Sequence, residues 1–570
     1  MKKEKNPIVP IIIAVVGVIA TMVMIVTLVR IPKLFHSGEK GNSTALTQSQ
    51  AEKNMSKYLD KVKVLNSEKV KGTVDYSDNS AANLPNIETK YPLTVIGNGD
   101  VDIEIFSTSE KAGKAQNGWL NEVANEFNDK RFRLSDNRIA SVSVRSIASG
   151  AASDYICNNV YVPQAYTPSN TLFGELAMQN GAKLTVVEEQ LVPNTAGIAL
   201  SKTARSTIET NYGSVTFESV VDSVVAGDIQ MGYTYPYTSA TGLNFLVSSL
   251  QHFDANDILS ADSIAKFQQL QKSIPFVCYT TDQMVNAMQS GTLQAGVTEY
   301  QAYVNSPVLK SSYDFIPFGY KHSNPLYKVG DLDKYQNEVL TMFADFAMQS
   351  DHQKKAADYG FDPNQTFSYN KTRISGADII SAQRLWKEEK DSGTPTIALF
   401  IADVSGSMNG DPIIRLKQSL LEASKNIKTD NYVGLISYSD DVYVNLPIAQ
   451  FDLEQRSYFA GAVEKMKPNG STATYDALLV GIKMINEYKE QQPDAKTMIF
   501  VLSDGMCNKG VKLDPTVDLV EYYGIPIYTI GYNEQIDSLK KLSAVNEAVY
   551  IDADNDDVVY ELAALFNAQM

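Results

Sequence analysis

Asp403, Ser405 and Ser407 alternate with Val404 and Gly406 in the run Ala402-Asp403-Val404-Ser405-Gly406-Ser407-Met408. In extended chain this alternation sends three side-chain oxygens one way and the intervening residues the other. A carboxylate and two hydroxyls suit a small hard cation, Mg2+ or Mn2+, and the run has no histidine or cysteine to favour zinc. The rival reading is a strand-to-helix loop in which Asp or Ser caps the next helix. Two later stretches bear on the choice. Gly470-Ser471-Thr472-Ala473-Thr474 brings hydroxyls to a helix start, and the apolar run Met498-Ile499-Phe500-Val501-Leu502 ends in Ser503-Asp504-Gly505.

The elements that must hold these residues follow from hydrophobic patterning. Ile397 to Ala402 is continuously apolar, as in a strand covered on both faces of a parallel sheet. Functional loops of such sheets lie at the carboxyl ends of the strands. Pro412 to Ile427 reads as an amphipathic helix with Ile413, Leu416, Leu420, Ala423 and Ile427 on one stripe. Strands at Tyr432 to Tyr438, Val442 to Leu446, Ile525 to Gly531 and Ala548 to Ile551, with a closing helix from about Asp556 to Asn567, predict a doubly wound α/β sheet. The three oxygen-bearing pieces, in this order, resemble the metal-ion-dependent adhesion site of von Willebrand factor type A (VWA) domains, a Rossmann-like fold, from about Pro395 to the C-terminus. That resemblance implies that Asp403, Ser405, Ser407, Thr472 and Asp504 surround Mg2+ or Mn2+. It also implies a protein partner whose Asp or Glu carboxylate completes the coordination.

A chain of 570 residues exceeds one core and suggests about three to four units. Its 50 Lys+Arg against 66 Asp+Glu leave −16, which argues against nucleic acid as a partner. From Pro395 onward 25 acidic and 14 basic residues contribute −11 of that. Three cysteines, Cys157, Cys278 and Cys507, make no disulfide framework, and a Cys157–Cys278 bridge is left open. The four histidines lie outside the last domain, so histidine acid/base chemistry beside the metal is not expected.

At the N-terminus, residues 1–7 read as cytoplasmic and Ile8 to Val29 is free of charge over 22 residues. At helical rise that covers roughly 33 Å, enough for a transmembrane anchor. A cleaved signal peptide is the rival; no clear small-x-small site follows at Arg30-Ile31-Pro32-Lys33. Residues 30–90, rich in Ser, Asn, Lys and Gly, read as a stalk with one helix from Gln50 to Val64.

In residues 91–365, Val101 to Phe106 alternates as a strand and stops at Ser107-Thr108-Ser109. A helix through Trp119, Leu120, Val123, Ala124 and Phe127 follows. Farther on, Gly232-Tyr233-Thr234-Tyr235-Pro236-Tyr237-Thr238-Ser239-Ala240-Thr241-Gly242 crowds hydroxyls at a helix entry, where free N–H groups favour an anion or a carbonyl oxygen; simple N-capping is the rival. With Gly118-Trp119-Leu120-Asn121-Glu122 and a closing Tyr359-Gly360-Phe361, the segment resembles bacterial type II extracytoplasmic solute-binding proteins, which close two α/β lobes on a ligand. The resemblance implies a small-molecule ligand, with Ser107, Thr108, Ser109, Thr234, Tyr235, Thr238, Ser239, Glu299 and Tyr300 as its contacts. It also implies work outside the cytoplasmic membrane, which would orient the chain with its C-terminal domains extracellular. Residues 366–394 read as a linker with a helix from Ala377 to Lys390, and 395–570 as the VWA domain.

These readings favour a membrane-anchored extracytoplasmic binding protein that engages a protein or solute partner through Mg2+. The alternatives are the solute receptor of an ABC-type importer or sensor, and a metal-dependent hydrolase. The phosphatase pattern requires a second carboxylate where Ser405 stands, and neither a Gly-x-Ser-x-Gly elbow nor a phosphate-binding Gly-x-x-x-x-Gly-Lys loop is present, so no enzymatic activity is expected.

Overall fold

The computed structural model describes residues 46–570, apart from 76, 78–82, 276, 280, 362–366, 368, 371, 533–535, 547 and 554–556. In chain order the strands are β1 (Val64–Asn66), β2 (Leu93–Val95), β3 (Val101–Ser107), β4 (Ala140–Ser146), β5 (Ala165–Thr167), β6 (Leu184–Glu188), β7 (Asn194–Ser201), β8 (Met231–Gly232), β9 (Ala295–Glu299), β10 (Tyr313–His322) and β11 (Leu326–Val329). The last domain adds β12 (Thr396–Asp403), β13 (Tyr432–Tyr438), β14 (Val442–Gln450), β15 (Lys496–Ser503), β16 (Ile527–Tyr532) and β17 (Tyr550–Ala553).

They form three sheets. The first lobe is the sheet β2-β4-β3-β5-β11-β6 and the second is β10-β7-β9-β8. The strands pass from the first lobe to the second between β6 and β7 and back between β10 and β11, and His322 at the end of β10 pairs with Asn194 at the start of β7. The third sheet, β1-β14-β13-β12-β15-β16-β17, is parallel except for the β13–β14 hairpin.

In the third sheet β12 is central, and all of its residues are buried. Ala398, Phe400 and Ala402 face one core with the helices Asp411–Ser424 and Val558–Gln569, while Ile397, Leu399 and Ile401 face a second with the helix Thr474–Lys489. Both faces are therefore covered, which is why the strand carries no polar alternation. Phe400 stacks on Phe500 and Phe566 at 5.1 and 4.7 Å. Each such fully buried ring is worth about 1.5–3 kcal/mol.

Several expectations need correction. The expected fold class began with a transmembrane helix; among the described residues no helix is long and apolar enough to cross a membrane, and Ile8 to Val29 lies outside the described residues. The α/β character of the two later parts stands. The stalk differs as well. Its helix spans Gln48–Leu59, closed at its start by a Thr47/Gln50 capping box, and buries Ala51 and Met55 against the third sheet's core. Val64 then begins a strand, not the end of a helix, and β1 pairs in parallel with Val442–Val444, covering the edge of that sheet. Likewise the helix Gly376–Glu389, expected within a linker, buries Ile379, Ala382, Leu385 and Trp386 in the second lobe's core. All three cysteines are free.

The segment after β1 is strapped across the helix Leu453–Lys465, where Gly72 N donates to Ser457 O at 2.8 Å. A Cβ on Gly461 would lie 2.0 Å from the carbonyl oxygen of Val70. Gly461→Ala is therefore expected to lift the strap and lower stability by about 1–3 kcal/mol. Urea denaturation reads this, and an unchanged midpoint would count against the close approach.

Candidate functional site

Asp403 ends β12 between its two neighbours, opposite Tyr438 of β13 in register. Its Oδ2 accepts from Ser503 Oγ of β15 at 2.5 Å and from Tyr438 OH at 3.2 Å. Oδ1 accepts from the Ser405 backbone N–H at 2.8 Å. All of these donors are uncharged, and among the described residues no cationic side chain bonds to this carboxylate. Burial pushes the Asp403 carboxyl above its ordinary range, against the pull of Ser503, Ser405 and Tyr438.

Past Asp403 a single 3-10 turn, Gly406–Met408, leads into the helix Asp411–Ser424. Ser405 Oγ lies 3.0 Å from Ser407 Oγ, which donates to Asp504 Oδ1 at 2.8 Å. Backbone bonds fasten the surrounding loops: Gly406 N to Gly470 O at 3.0 Å and Asn469 N to Val404 O at 2.8 Å. Thr472 is buried, its N–H donating to Asn508 Oδ1 at 2.9 Å and its carbonyl accepting from Asn508 N at 3.0 Å. The hydrogen-bond network thus joins Asp403, Ser405, Ser407 and Asp504 directly, and brings Thr472 in through the loop that follows Asp504. Sequence reasoning missed Tyr438 and Ser503. Ser503 adjoins the Asp504 motif and Tyr438 ends a strand that was identified, so their positions at strand ends were the available signal.

This donor set fits a hard divalent cation. It offers two carboxylates and three hydroxyls, and a buried carboxylate with neutral partners is the environment that a cation relieves. Among the described residues there is no group of three or more His, Cys, Asp and Glu side chains that could hold a metal.

The second candidate site, between the two lobes, is filled by the protein's own charges. Lys111 is fully buried and its ammonium donates to Thr108 Oγ1 at 2.5 Å, Glu110 Oε1 at 3.1 Å and Asn324 Oδ1 at 2.7 Å. Glu110 also accepts from Ser169 Oγ at 2.7 Å. Burial pushes the Glu110 carboxyl up, but Lys111, Thr108 and Ser169 outweigh it and hold the group low. From the second lobe Glu299 accepts from Asn194 Nδ2 at 2.6 Å, and its Oε1 lies 2.8 Å from His322 Nδ1.

Other expected contacts are spoken for or turned aside. Thr234 Oγ1 and Ser239 Oγ lie 2.7 Å apart, and Ser239 caps its helix, so capping is the better account of that pair. Tyr235 packs on Trp386 at 5.5 Å and accepts from Asn567 of the last domain. The Thr238 carbonyl accepts from Gly150 N of the first lobe at 3.2 Å. Ser109 is exposed, and Tyr300 packs on Phe315 at 5.4 Å. Ser107 Oγ is buried with no hydrogen-bond partner among the described residues.

Two substitutions test these electrostatic accounts. A raised carboxyl pKa contributes stability that is full below the unfolded-state value and fades as pH rises through the folded one. At neutral pH without divalent cations Asp403→Asn should therefore raise stability by roughly 1 kcal/mol, because the Ser503 and Tyr438 hydroxyls can turn to accept from the amide. Lower stability than wild type in EDTA would contradict the burial argument. Lys111→Met strands Glu110 without its cation and should cost about 3–5 kcal/mol. A thermal midpoint within error of wild type would show that the cleft network is not a structural bolt.

Comparison with known proteins bears on the last domain. The family model for the von Willebrand factor type A domain matches residues 399–564. Bovine (Bos taurus) inter-alpha-trypsin inhibitor heavy chain H3 is 31% identical over 153 residues, covering 25% of this chain and 17% of its own length. Mouse (Mus musculus) heavy chain H2 is 30% identical over 169 residues, covering 27% and 17%. The chain thus spans less than a fifth of the length of these curated relatives. Among solved structures, the von Willebrand factor type A protein from Catenulispora acidiphila superposes with a TM-score of 0.28 at 17% identity over 30% of this chain and 42% of that one. Structural neighbours also include solute-binding proteins, such as the sulfate-binding protein SubI from Mycobacterium tuberculosis H37Rv, with a TM-score of 0.33 at 13% identity over 47% of this chain and 88% of that one. Residues 399–564, which carry Asp403, Ser405, Ser407, Thr472 and Asp504, are a von Willebrand factor type A domain.

Proposed function

We propose that this protein binds a protein partner through a divalent cation, Mg2+ or Mn2+, held by Asp403, Ser405, Ser407, Thr472 and Asp504. The observation that carries the reading is Asp403, a buried carboxylate at the end of the central strand with only neutral donors around it. The cation would supply positive charge for an Asp or Glu carboxylate of the partner. Ser503, Tyr438 and the Ser405 N–H hold Asp403 in place, while the Gly470 and Asn508 loops fix the approach of Thr472.

The role is recognition, not catalysis. Ser405 stands where a phosphatase would need its second carboxylate, and the residues bonded to Asp403 are hydroxyls and a backbone N–H. The net charge of −16 disfavours nucleic acid. We infer that residues 46–570 work outside the cytoplasm, on the resemblance of residues 91–365 to extracytoplasmic solute-binding proteins. The alternative of a solute receptor is weakened by the inter-lobe network, in which Thr108 and Glu299 already serve Lys111, Asn194 and His322.

Titration of the full chain with Mg2+ tests the reading, with thermal denaturation and calorimetry as readouts. At ten times its dissociation constant the ion should stabilise the wild type by about 1.4 kcal/mol. Asp504→Ala should abolish both that gain and the binding heat. Equal responses of wild type and variant would sink the proposal.

A further inference from the structure

At the far end of the VWA sheet from Asp403, a cavity of about 370 Å³ opens between that sheet and the second lobe. Lys496 at the start of β15 and Lys390 after the helix Gly376–Glu389 line it, with Lys489 from the end of the helix Thr474–Lys489; Val277 comes from the lobe. The size suits a small organic molecule.

Its charges do not balance. Lys390 is buried and donates to both oxygens of Asp391 at 3.1 Å, and Lys428 reaches the same carboxylate at 3.3 Å. One carboxylate thus serves two ammonium groups. Lys489 donates to the backbone carbonyl of Ala495. Lys496, half-buried, makes no ion pair or side-chain hydrogen bond among the described residues. Asp494, the other acid of the lining, is exposed. Burial pushes Lys390 down to about 8 and lowers Lys489 and Lys496 too, against the pull of Asp391 on Lys390 and Lys496 and of Asp494 on Lys489.

We propose that this cavity binds a small organic anion, its carboxylate or phosphate group taken by Lys496 with Lys390 and Lys489 around it, and its apolar body lying against Val277 and Met498. A surplus of lysines in a chain of net charge −16 is a local inversion of charge, and a bound anion removes the repulsion among them. The site is independent of the cation site, with the length of β12 between them.

The test uses the full chain with citrate and inorganic phosphate as probes, against sodium chloride at equal ionic strength. Either probe should raise the thermal midpoint beyond the chloride control, the stronger one telling carboxylate from phosphate preference. Lys496→Gln should weaken that probe's affinity about tenfold and leave the Mg2+ response unchanged. If Lys496→Gln does not fold, Lys489→Gln should show the same loss. Stabilisation no greater than chloride gives, or equal affinity in wild type and the folded variant, would overturn the proposal. Loss of the Mg2+ response in Asp504→Ala with anion binding intact would separate the two sites.

Discussion

The buried carboxylate of Asp403 constrains everything around it. An isolated charge inside a protein is costly, and hydrogen bonds to neutral groups offset only part of that cost. Here the offset comes from three directions: Tyr438 from the strand on one side, Ser503 from the strand on the other, and a backbone N–H from the loop ahead. Sheet register therefore does the positioning. A one-residue slip of β13 or β15 would turn the hydroxyl to the opposite face and leave the carboxylate short of a donor. Farther down, Phe400 of β12 stacks on Phe500 of β15, and both pack on Phe566 of the closing helix, which holds the register of that pair.

How much of this was legible in the sequence depends on whether the signal was local. Continuous apolar runs announced β12 and β15, and the span Tyr432 to Tyr438 was read with the boundaries the structure shows. The Asp-x-Ser-x-Ser run located the site because its side chains are neighbours in the chain. The helix of residues 48–59 was expected, but its docking and the strand β1 were missed because they leave almost no local trace: only Ala51 and Met55 are buried in the helix, and β1 is held by backbone bonds with its own side chains exposed. In the cleft, Glu110 and Lys111 follow directly on the Ser-Thr-Ser turn, but nothing local in the sequence singles them out. Their partners are distant in the chain: Asn324 for Lys111, more than two hundred residues away, and Ser169 for Glu110. Tyr235 erred in the other direction, since an aromatic hydroxyl in a polar run suits a ligand or a Trp equally well, and only tertiary packing chose Trp386.

Two buried charge clusters in one chain are resolved differently. Between the lobes, Lys111 is matched by Glu110 and flanked by Thr108 and Asn324, while Glu299 is matched by Asn194 and His322. A network satisfied in this way gives nothing to an incoming ligand, which would have to displace bonds already made. In the seam below the VWA sheet the lysines outnumber the acids that reach them. The difference is one of arithmetic, not of burial, and it is the reason for proposing a small anion in the seam rather than in the cleft.

The seam also sets what can reach Asp403. Tyr279 of the second lobe donates to Glu561 of the closing helix at 2.7 Å, Gln569 Nε2 donates to Val277 O at 2.9 Å, and Lys90 pairs with Asp557 and Glu561 at 2.5 and 2.6 Å. From Leu46 onward the chain is one compact unit. The lobe meets the VWA sheet near Thr497 and Pro526, at the amino ends of β15 and β16. Asp403 ends a strand of eight residues that begins beside Lys496, so about 25 Å of sheet separates it from that junction. A partner carboxylate can therefore approach the Asp403 edge without parting the VWA domain from the lobe. On the proposed reading, affinity at that edge would depend on the cation and on the three loops that frame it.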